Sequence, residues 1–254
     1  MRFRILGPLE VVDGAGRWRS VAGPRQRVLL AALLVNANTP VSVDELAERV
    51  WDGVPPAGYA QTLRSHVMRL RRSLPALDAV DLQTRAPGYV LAVADRDVDA
   101  HRFEALCREA SGQMREGAWC AVADTAERAL TLWRAQPLMD VPSELLCRTV
   151  VPRWDQLRLQ LMEFRFDAEL RLGRHHALVP QLQDLVAVHP LHERFRAQLM
   201  LSLSRAGRRV EALAVYRSAR RTLIDELGVE PGPEMVRVHQ SILAGDDPVF
   251  ETAA

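Results

Sequence analysis

The sequence predicts a mainly α protein with a small β component: an N-terminal winged helix-turn-helix, then an all-α, tetratricopeptide-like helical repeat domain. Three observations carry that reading. Short alternating or turn-bounded apolar segments before residue 24 and after residue 80 flank three helical patterns. From Asp99 onward the apolar spacing is helical almost without interruption. Finally, Arg171-Leu172-Gly173-Arg174 recurs as Arg205-Ala206-Gly207-Arg208 at an offset of 34 residues, the period at which helix pairs stack on one another. A length of 254 residues suits two domains at roughly 150 residues each. The boundary is expected near Asp95–Asp99, giving domains 1–96 and 97–254.

The elements follow in order. Arg2-Phe3-Arg4-Ile5-Leu6 alternates, Leu9-Glu10-Val11-Val12 follows a Gly-Pro, and Asp13-Gly14 signals a hairpin turn before Trp18. Pro24 sits where a helix can begin, with Val28, Leu29, Ala32, Leu33 and Val35 on its buried side. Ser42 reads as an N-cap and Glu45 completes a capping box ahead of Leu46, Ala47 and Val50. Pro55-Pro56 is expected to stop that helix. A third runs from about Tyr59 to Leu74, closed by Pro75, with Leu63, Val67, Leu70 and Leu74 as one apolar stripe. Leu82-Gln83-Thr84-Arg85, a Pro87-Gly88 turn and Tyr89–Val93 read as a β-hairpin. Asp99 caps the next helix, which carries Phe103, Leu106 and Cys107. Helices over Trp119–Trp133, Ser143–Leu172, Arg174–His189, Leu191–Ala206, Arg208–Leu227 and Pro231–Leu243 complete the chain. Two copies of the repeat fall below the usual three, so the less regular pair near Trp119 has to supply the third.

Composition narrows the class. With 48% hydrophobic and 26% charged residues the chain can bury a sizeable core. Its longest apolar run, Val28–Val35, is far short of the roughly 20 residues of a membrane span, and the N-terminus lacks a signal-peptide core. Cys107, Cys120 and Cys147 form no Cys-x-x-Cys pair. A reduced, cytoplasmic and nucleoid-associated protein without a membrane partner is expected.

Net charge is +1, yet its distribution is uneven: Gly53 to Leu77 holds Arg64, Arg69, Arg71 and Arg72 and no acid. All 33 basic Lys and Arg residues are Arg, a bias that a GC-rich genome explains as well as any chosen chemistry. With the Leu63 stripe facing the core and about 100° per residue, Gln61, Ser65 and Arg72 point away from it. Met68 and Arg69 flank them, and Thr62 and Arg64 lie toward the edges. Such side chains read base edges and phosphates in a major groove, although a solvated amphipathic face would have the same pattern. Two helices before it, a Pro-Pro break and a following hairpin make the context a winged helix-turn-helix. Arg85 at the hairpin tip suits the adjacent minor groove, or an ordinary exposed turn. Arg71 is expected to pair with an acidic neighbour, and His66 to pack between helices.

Phe3–Val11, Leu63–Arg72 and Ala86-Pro87-Gly88-Tyr89 are similar to an OmpR-type winged helix. Leu132-Trp133-Arg134, Pro137-Leu138, Leu172–His175, His189-Pro190-Leu191, Tyr216-Arg217, Asp225–Gly228 and Pro231-Gly232 are similar to the bacterial transcriptional activation domain. In this order the two series resemble the Streptomyces antibiotic regulatory protein family. The resemblance implies an activator of secondary-metabolite (antibiotic) biosynthetic clusters. It would bind direct repeats in promoter DNA as a homodimer or tandem pair and recruit RNA polymerase holoenzyme through its sigma factor and alpha subunit. By position it implies DNA contacts at Thr62, Ser65, Arg69 and Arg72, with Arg85 in the wing; the face geometry adds Gln61 and Arg64. It also implies a polymerase-facing loop at Trp51, Asp52, Gly53, Val54, Pro55 and Pro56, within Trp51–Tyr59. Departures are Arg64-Ser65-His66, where many relatives are Tyr- or Val-rich, and Arg134-Ala135 in place of Arg-Gly. Because the sequence stops at Ala254, no nucleotide- or phosphopeptide-binding module is expected.

Enzymatic readings are weaker. His175, His176, His189 and His192 with Glu193 are close in sequence, but the adjacent pair diverges by about 100° on a helix, and His-Pro reads as an inter-repeat turn. Asp140 and Glu144 flank Pro142 and read as caps. Nucleophile-elbow, Walker and dinucleotide fingerprints are missing. No catalytic residue, metal ligand or cofactor is expected. The alternative is a helical-repeat interaction or ligand-sensing regulator whose winged domain does not read DNA. The Trp residues (Trp18, Trp51, Trp119, Trp133, Trp154) are expected in packing, with Trp51 beside the loop.

Overall fold

A computed structural model describes residues 1–74 and 80–246. It divides into two compact units: Met1–Cys107 with Arg128–Arg158, and Arg108–Glu127 with the chain from Leu159 on. The protein is mainly α with a small β component, a winged helix-turn-helix followed by helical repeats.

In the first unit, β1 (Phe3–Arg4), β2 (Glu10–Val12) and β3 (Trp18–Ser20) form an antiparallel sheet in that order. The β2–β3 turn is wider than an Asp-Gly hairpin because the Asp13 carboxylate accepts the Ala15 and Arg17 N–H groups, both at 2.9 Å. Helix α1 (Pro24–Val35) departs from the one-sided expectation: Val28 through Leu34 are all buried, while Val35 is only half-buried. The reason is that α2, α3 and the wing strand β6 all pack on it.

A two-residue strand that the periodicity did not show, β4 (Val41–Ser42), leads into α2 (Val43–Val50). Ser42 caps α2 by accepting the Glu45 N–H at 3.1 Å, as expected, whereas the Glu45 carboxylate pairs with Arg49. Helix α2 ends before Pro55-Pro56, where Asp52 (φ 52°) and Gly53 (φ 85°) turn through left-handed conformations. The recognition-helix candidate α3 spans Tyr59–Ser73; Pro75, expected to close it, lies outside the described residues. The wing strands β5 (Asp81–Arg85) and β6 (Gly88–Ala92) pair antiparallel, and β4 adds to the other edge of β6.

Asp99 does more than begin α4 (Asp99–Arg115). Its buried carboxylate accepts the N–H groups of Ile5 at 2.7 Å, Leu6 at 3.0 Å and Ala100 at 2.8 Å. The segment after α5 (Trp119–Leu130) meets the same β1–β2 connection: Arg134 donates its N–H to Leu6 O at 3.0 Å and Asp140 accepts the Leu9 N–H at 2.8 Å. Asp140 also pairs with Arg27, so it anchors the N-terminal segment instead of acting as the cap read from sequence, and Ser143 accepts the Leu146 N–H at the start of α6 (Glu144–Arg171).

The second unit takes in α7 (His175–Val188), α8 (Glu193–Arg205), α9 (Arg209–Leu227) and α10 (Pro233–Ala244), with the later part of α6. Phe166, Leu182, Phe195, Met200 and Ile242 lie in its core. The repeat signature has a direct structural meaning. Gly173 (φ 76°) and Gly207 (φ 75°) turn identically, with N–H bonds back to Leu170 and Ser204, and the residues after them bond back to Glu169 and Leu203. Gly117 (φ 69°) repeats the pattern between α4 and α5, bonding to Met114 while Ala118 bonds to Gln113. This supplies the third helix pair. Among the described residues no helix is long and apolar enough to cross a membrane.

Candidate nucleic-acid interface

The apolar stripe of α3 is buried as its spacing requires: Leu63, Val67 and Leu70 face inward. The opposite face carries Gln61, Thr62, Arg64, Ser65, Met68, Arg69 and Arg72, all exposed. Among the described residues, Arg64, Arg69 and Arg72 have no carboxylate partner, and Ser65 donates only to its own helix, at Gln61 O, 3.3 Å away. A helix face of unneutralised guanidinium groups interleaved with short hydroxyl and amide side chains can bind phosphates and base edges together.

Two contacts fix this helix. Arg71 donates through Nε to Leu82 O at 2.8 Å and through Nη2 to Thr84 Oγ1 at 2.9 Å. Arg71 therefore ties α3 to the wing through a carbonyl and a hydroxyl, not through the acidic neighbour expected from sequence. At the other end, Tyr59 donates its hydroxyl to Asp44 at 2.6 Å, joining α3 to the start of α2. Arg85 is the last residue of β5 and is exposed at the hairpin tip.

His66 is buried behind the outward face, 7% exposed, with its ring centroid 6.1 Å from that of Trp51. Burial, then the charges of Arg25 and Arg69, hold its pKa below the usual imidazole value. It packs between helices, as its place on the stripe's edge suggested.

The Trp51–Pro56 loop is partly committed to structure. Asp52 accepts the Leu145 N–H at 2.7 Å and the Ser143 hydroxyl at 3.3 Å, and Ser143 also donates to Arg49 O at 2.8 Å. These bonds, the Leu145 N–H foremost, lower the Asp52 pKa. Trp51 and Pro55 are half-buried; Gly53, Val54 and Pro56 are exposed, Val54 to 80%.

The remaining candidates are structural. Trp154 is buried and donates to Glu104 at 3.0 Å, Trp133 meets Phe103 edge-on, and Trp18 lies under Arg4. Trp119 is half-buried with the Arg171 guanidinium 5.3 Å from its ring centroid. His192 stacks on Phe195 and its Nε2 lies 3.2 Å from Glu163, while Glu193 accepts the Gly232 N–H at 2.6 Å. The rings of His175 and His176 lie 4.5 Å apart, tilted by 42° to one another. Among the described residues no group of three or more His, Cys, Asp or Glu is placed to hold a metal ion.

Two family models match successive parts of the chain. Residues 21–91 match the family model described as "transcriptional regulatory protein, C terminal", and residues 98–243 match the "bacterial transcriptional activator domain". The chain is 34% identical over 256 residues to regulatory protein DnrI of Streptomyces peucetius, covering 97% of this chain and 93% of that protein. It is 38% identical over 255 residues to regulatory protein AfsR of Streptomyces coelicolor, covering 100% of this chain but 25% of AfsR. The solved structure of Mycobacterium tuberculosis EmbR in complex with a low-affinity phosphopeptide superposes with a TM-score of 0.91 at 29% identity, covering 98% of this chain and 66% of that one.

Proposed function

The chain belongs to the Streptomyces antibiotic regulatory protein family of transcriptional regulators, and we propose that it is a sequence-specific activator that binds double-stranded promoter DNA. In this reading it recognises direct repeats at the promoter of a secondary-metabolite (antibiotic) cluster as a homodimer or tandem pair, and recruits RNA polymerase holoenzyme through the sigma factor and alpha subunit. Residues 1–96 bind DNA and 97–254 form the activation domain. The protein works in the cytoplasm, at the nucleoid.

The observation that carries the proposal is the exposed, acid-free face of α3. Gln61, Thr62, Arg64, Ser65, Arg69 and Arg72 would enter the major groove, with Arg85 of the wing in the neighbouring minor groove. Arginine contacts to phosphate make such binding strongly salt-dependent. Two linked half-sites multiply modest affinities through effective concentration. Selection from a random duplex pool at moderate salt should enrich a spaced direct repeat, and Arg69→Ala with Arg72→Ala should abolish the enrichment. An unenriched pool together with a stably captured protein partner would move the assignment to a protein-interaction module.

The exposed part of the loop is the proposed polymerase contact. Replacing Val54 and Pro56 with serine leaves the Asp52 bonds in place, so duplex affinity should hold within about twofold. Activation in a purified transcription assay should fall several-fold, since about 1.4 kcal/mol of lost contact is already tenfold in occupancy. Unchanged activation removes the loop from the mechanism.

A further inference from the structure

At the edge of the α3 face, a cluster gathers positive charge that has no ion-pair partner among the described residues. Arg25 stands in the first turn of α1, exposed, with its guanidinium carbon 5.6 Å from the Trp51 ring centroid. Trp51 is in turn the neighbour of His66, and Arg69 lies one turn further along α3. Three helices thus bring Arg25, Trp51, His66 and Arg69 together. Among the described residues neither arginine has an ion-pair partner, and neither ring nitrogen of the buried His66 has a hydrogen-bond partner. One nitrogen of a neutral imidazole carries a proton, so an unsatisfied donor lies behind two free guanidinium groups.

The backbone of α1 adds to this. Pro24 has no N–H and Arg27 N–H bonds to Gly23 O at 3.1 Å, which leaves the Arg25 and Gln26 N–H groups as the free donors of the first turn. Among the described residues no side chain caps them, and no acid occupies the turn. The positive end of the helix dipole is therefore uncompensated beside Arg25.

We propose that Arg25, with Arg69 and the first turn of α1, seats one backbone phosphodiester of bound duplex DNA beside the recognition helix. This rests on the DNA-binding reading above and extends the interface to a helix that the α3 face does not include. The shape fits the class of ligand: two guanidinium forks and two backbone N–H groups suit a tetrahedral monoanion, and the Trp51 face restrains the Arg25 stem so that less side-chain freedom is lost on binding. A phosphate contact carries no base information, so Arg25 sets the register and depth of α3 without choosing sequence.

The test is the salt dependence of binding to an enriched duplex, measured for the whole protein. In Arg25→Gln the slope of log K against log salt should become shallower by about 0.9, the value for one phosphate, with the preferred sequence unchanged. Affinity at fixed salt should fall about tenfold, and Arg25→Lys should restore the slope because it restores the charge. An unchanged slope in a folded Arg25→Gln protein, checked by its melting curve, overturns the phosphate seat and leaves Arg25 as a packing partner of Trp51. A changed preference at one base position overturns it too, by making Arg25 a base reader. A wild-type protein that retains no duplex at low salt overturns the DNA reading itself; a wild-type protein that binds while the variant keeps its slope overturns only the seat.

Discussion

Replacing Gly88 with alanine is expected to destabilise the first unit by about 3 kcal/mol and to disorganise the wing. Gly88 is the first residue of β6 and is paired on both sides, with Ser42 of β4 and Arg85 of β5. A Cβ placed there would lie 2.0 Å from Val41 O and 2.9 Å from the Ser42 backbone. Those atoms belong to a strand, so nothing flexible can yield, and the only relief is separation of β4 from β6. Separation also loosens α2, because Ser42 is both a β4 residue and the cap that accepts the Glu45 N–H. One methyl group thereby reaches the wing tip, with Arg85, and the first turn of the helix-turn-helix. The urea midpoint should drop, and duplex affinity should fall at least as far as it does for Arg85→Ala. A midpoint within experimental error of wild type would show that the strands can part at little cost, and the steric account would be wrong.

Sequence patterning read best where one physical cause dominates a whole element. The α3 stripe was legible because a helix that buries Leu63, Val67 and Leu70 must expose what lies opposite. The repeat turns were legible because only glycine adopts the left-handed backbone there cheaply, and Gly173 and Gly207 hold it at φ 76° and 75°. Gly117 has the same geometry, but the length of α6 breaks the spacing, so periodicity alone did not show it. Helix α1 misled the pattern because its surroundings on several sides bury residues that periodicity assigns to a solvent face. Strand β4 was invisible because two residues carry no alternation; its existence is owed to the close approach that Gly88 permits. On α3, Arg71 was read apart from the proposed DNA-contacting residues and given an acidic partner; its actual partners, a carbonyl and a hydroxyl of β5, have no charge signature. The proposed Arg25 contact had no sequence signal because Arg25 lies outside the acid-free window and nears Trp51 only through the packing of α1 on α2 and α3. Asp99 was read as a cap from its neighbours; its more distant partners are 93 and 94 residues away in sequence.

That long-range role of Asp99 leads to a second large effect. Asp99→Asn should cost about 3 kcal/mol at pH 7, since an amide cannot accept the Ile5, Leu6 and Ala100 N–H groups together and turns its own donors toward them. The pH dependence then identifies the balance of forces. Burial pushes the Asp99 carboxyl up to about 6, against the three N–H groups and the Arg134 charge, which favour the anion. The folded pKa exceeds the unfolded value of 3.8, so between those values the folded protein takes up a proton that the unfolded chain does not. The Asp99 contribution is therefore largest in acid and declines as pH rises through about 6. Acidification from pH 7 to pH 5 should accordingly widen the stability gap between wild type and Asp99→Asn by about 1 kcal/mol. The gap is the quantity to follow because other carboxylates push total stability the opposite way. Asp13, held at about 2 chiefly by the Arg17 N–H, contributes stability above the ordinary carboxylate range that is lost on further acidification, and it cancels in the difference. Urea unfolding of both proteins at pH 7, 6 and 5 measures it. A gap that narrows on acidification would mean that the three N–H donors outweigh burial and that Asp99 is ionised throughout, a fixed anionic post for the N-terminal strand.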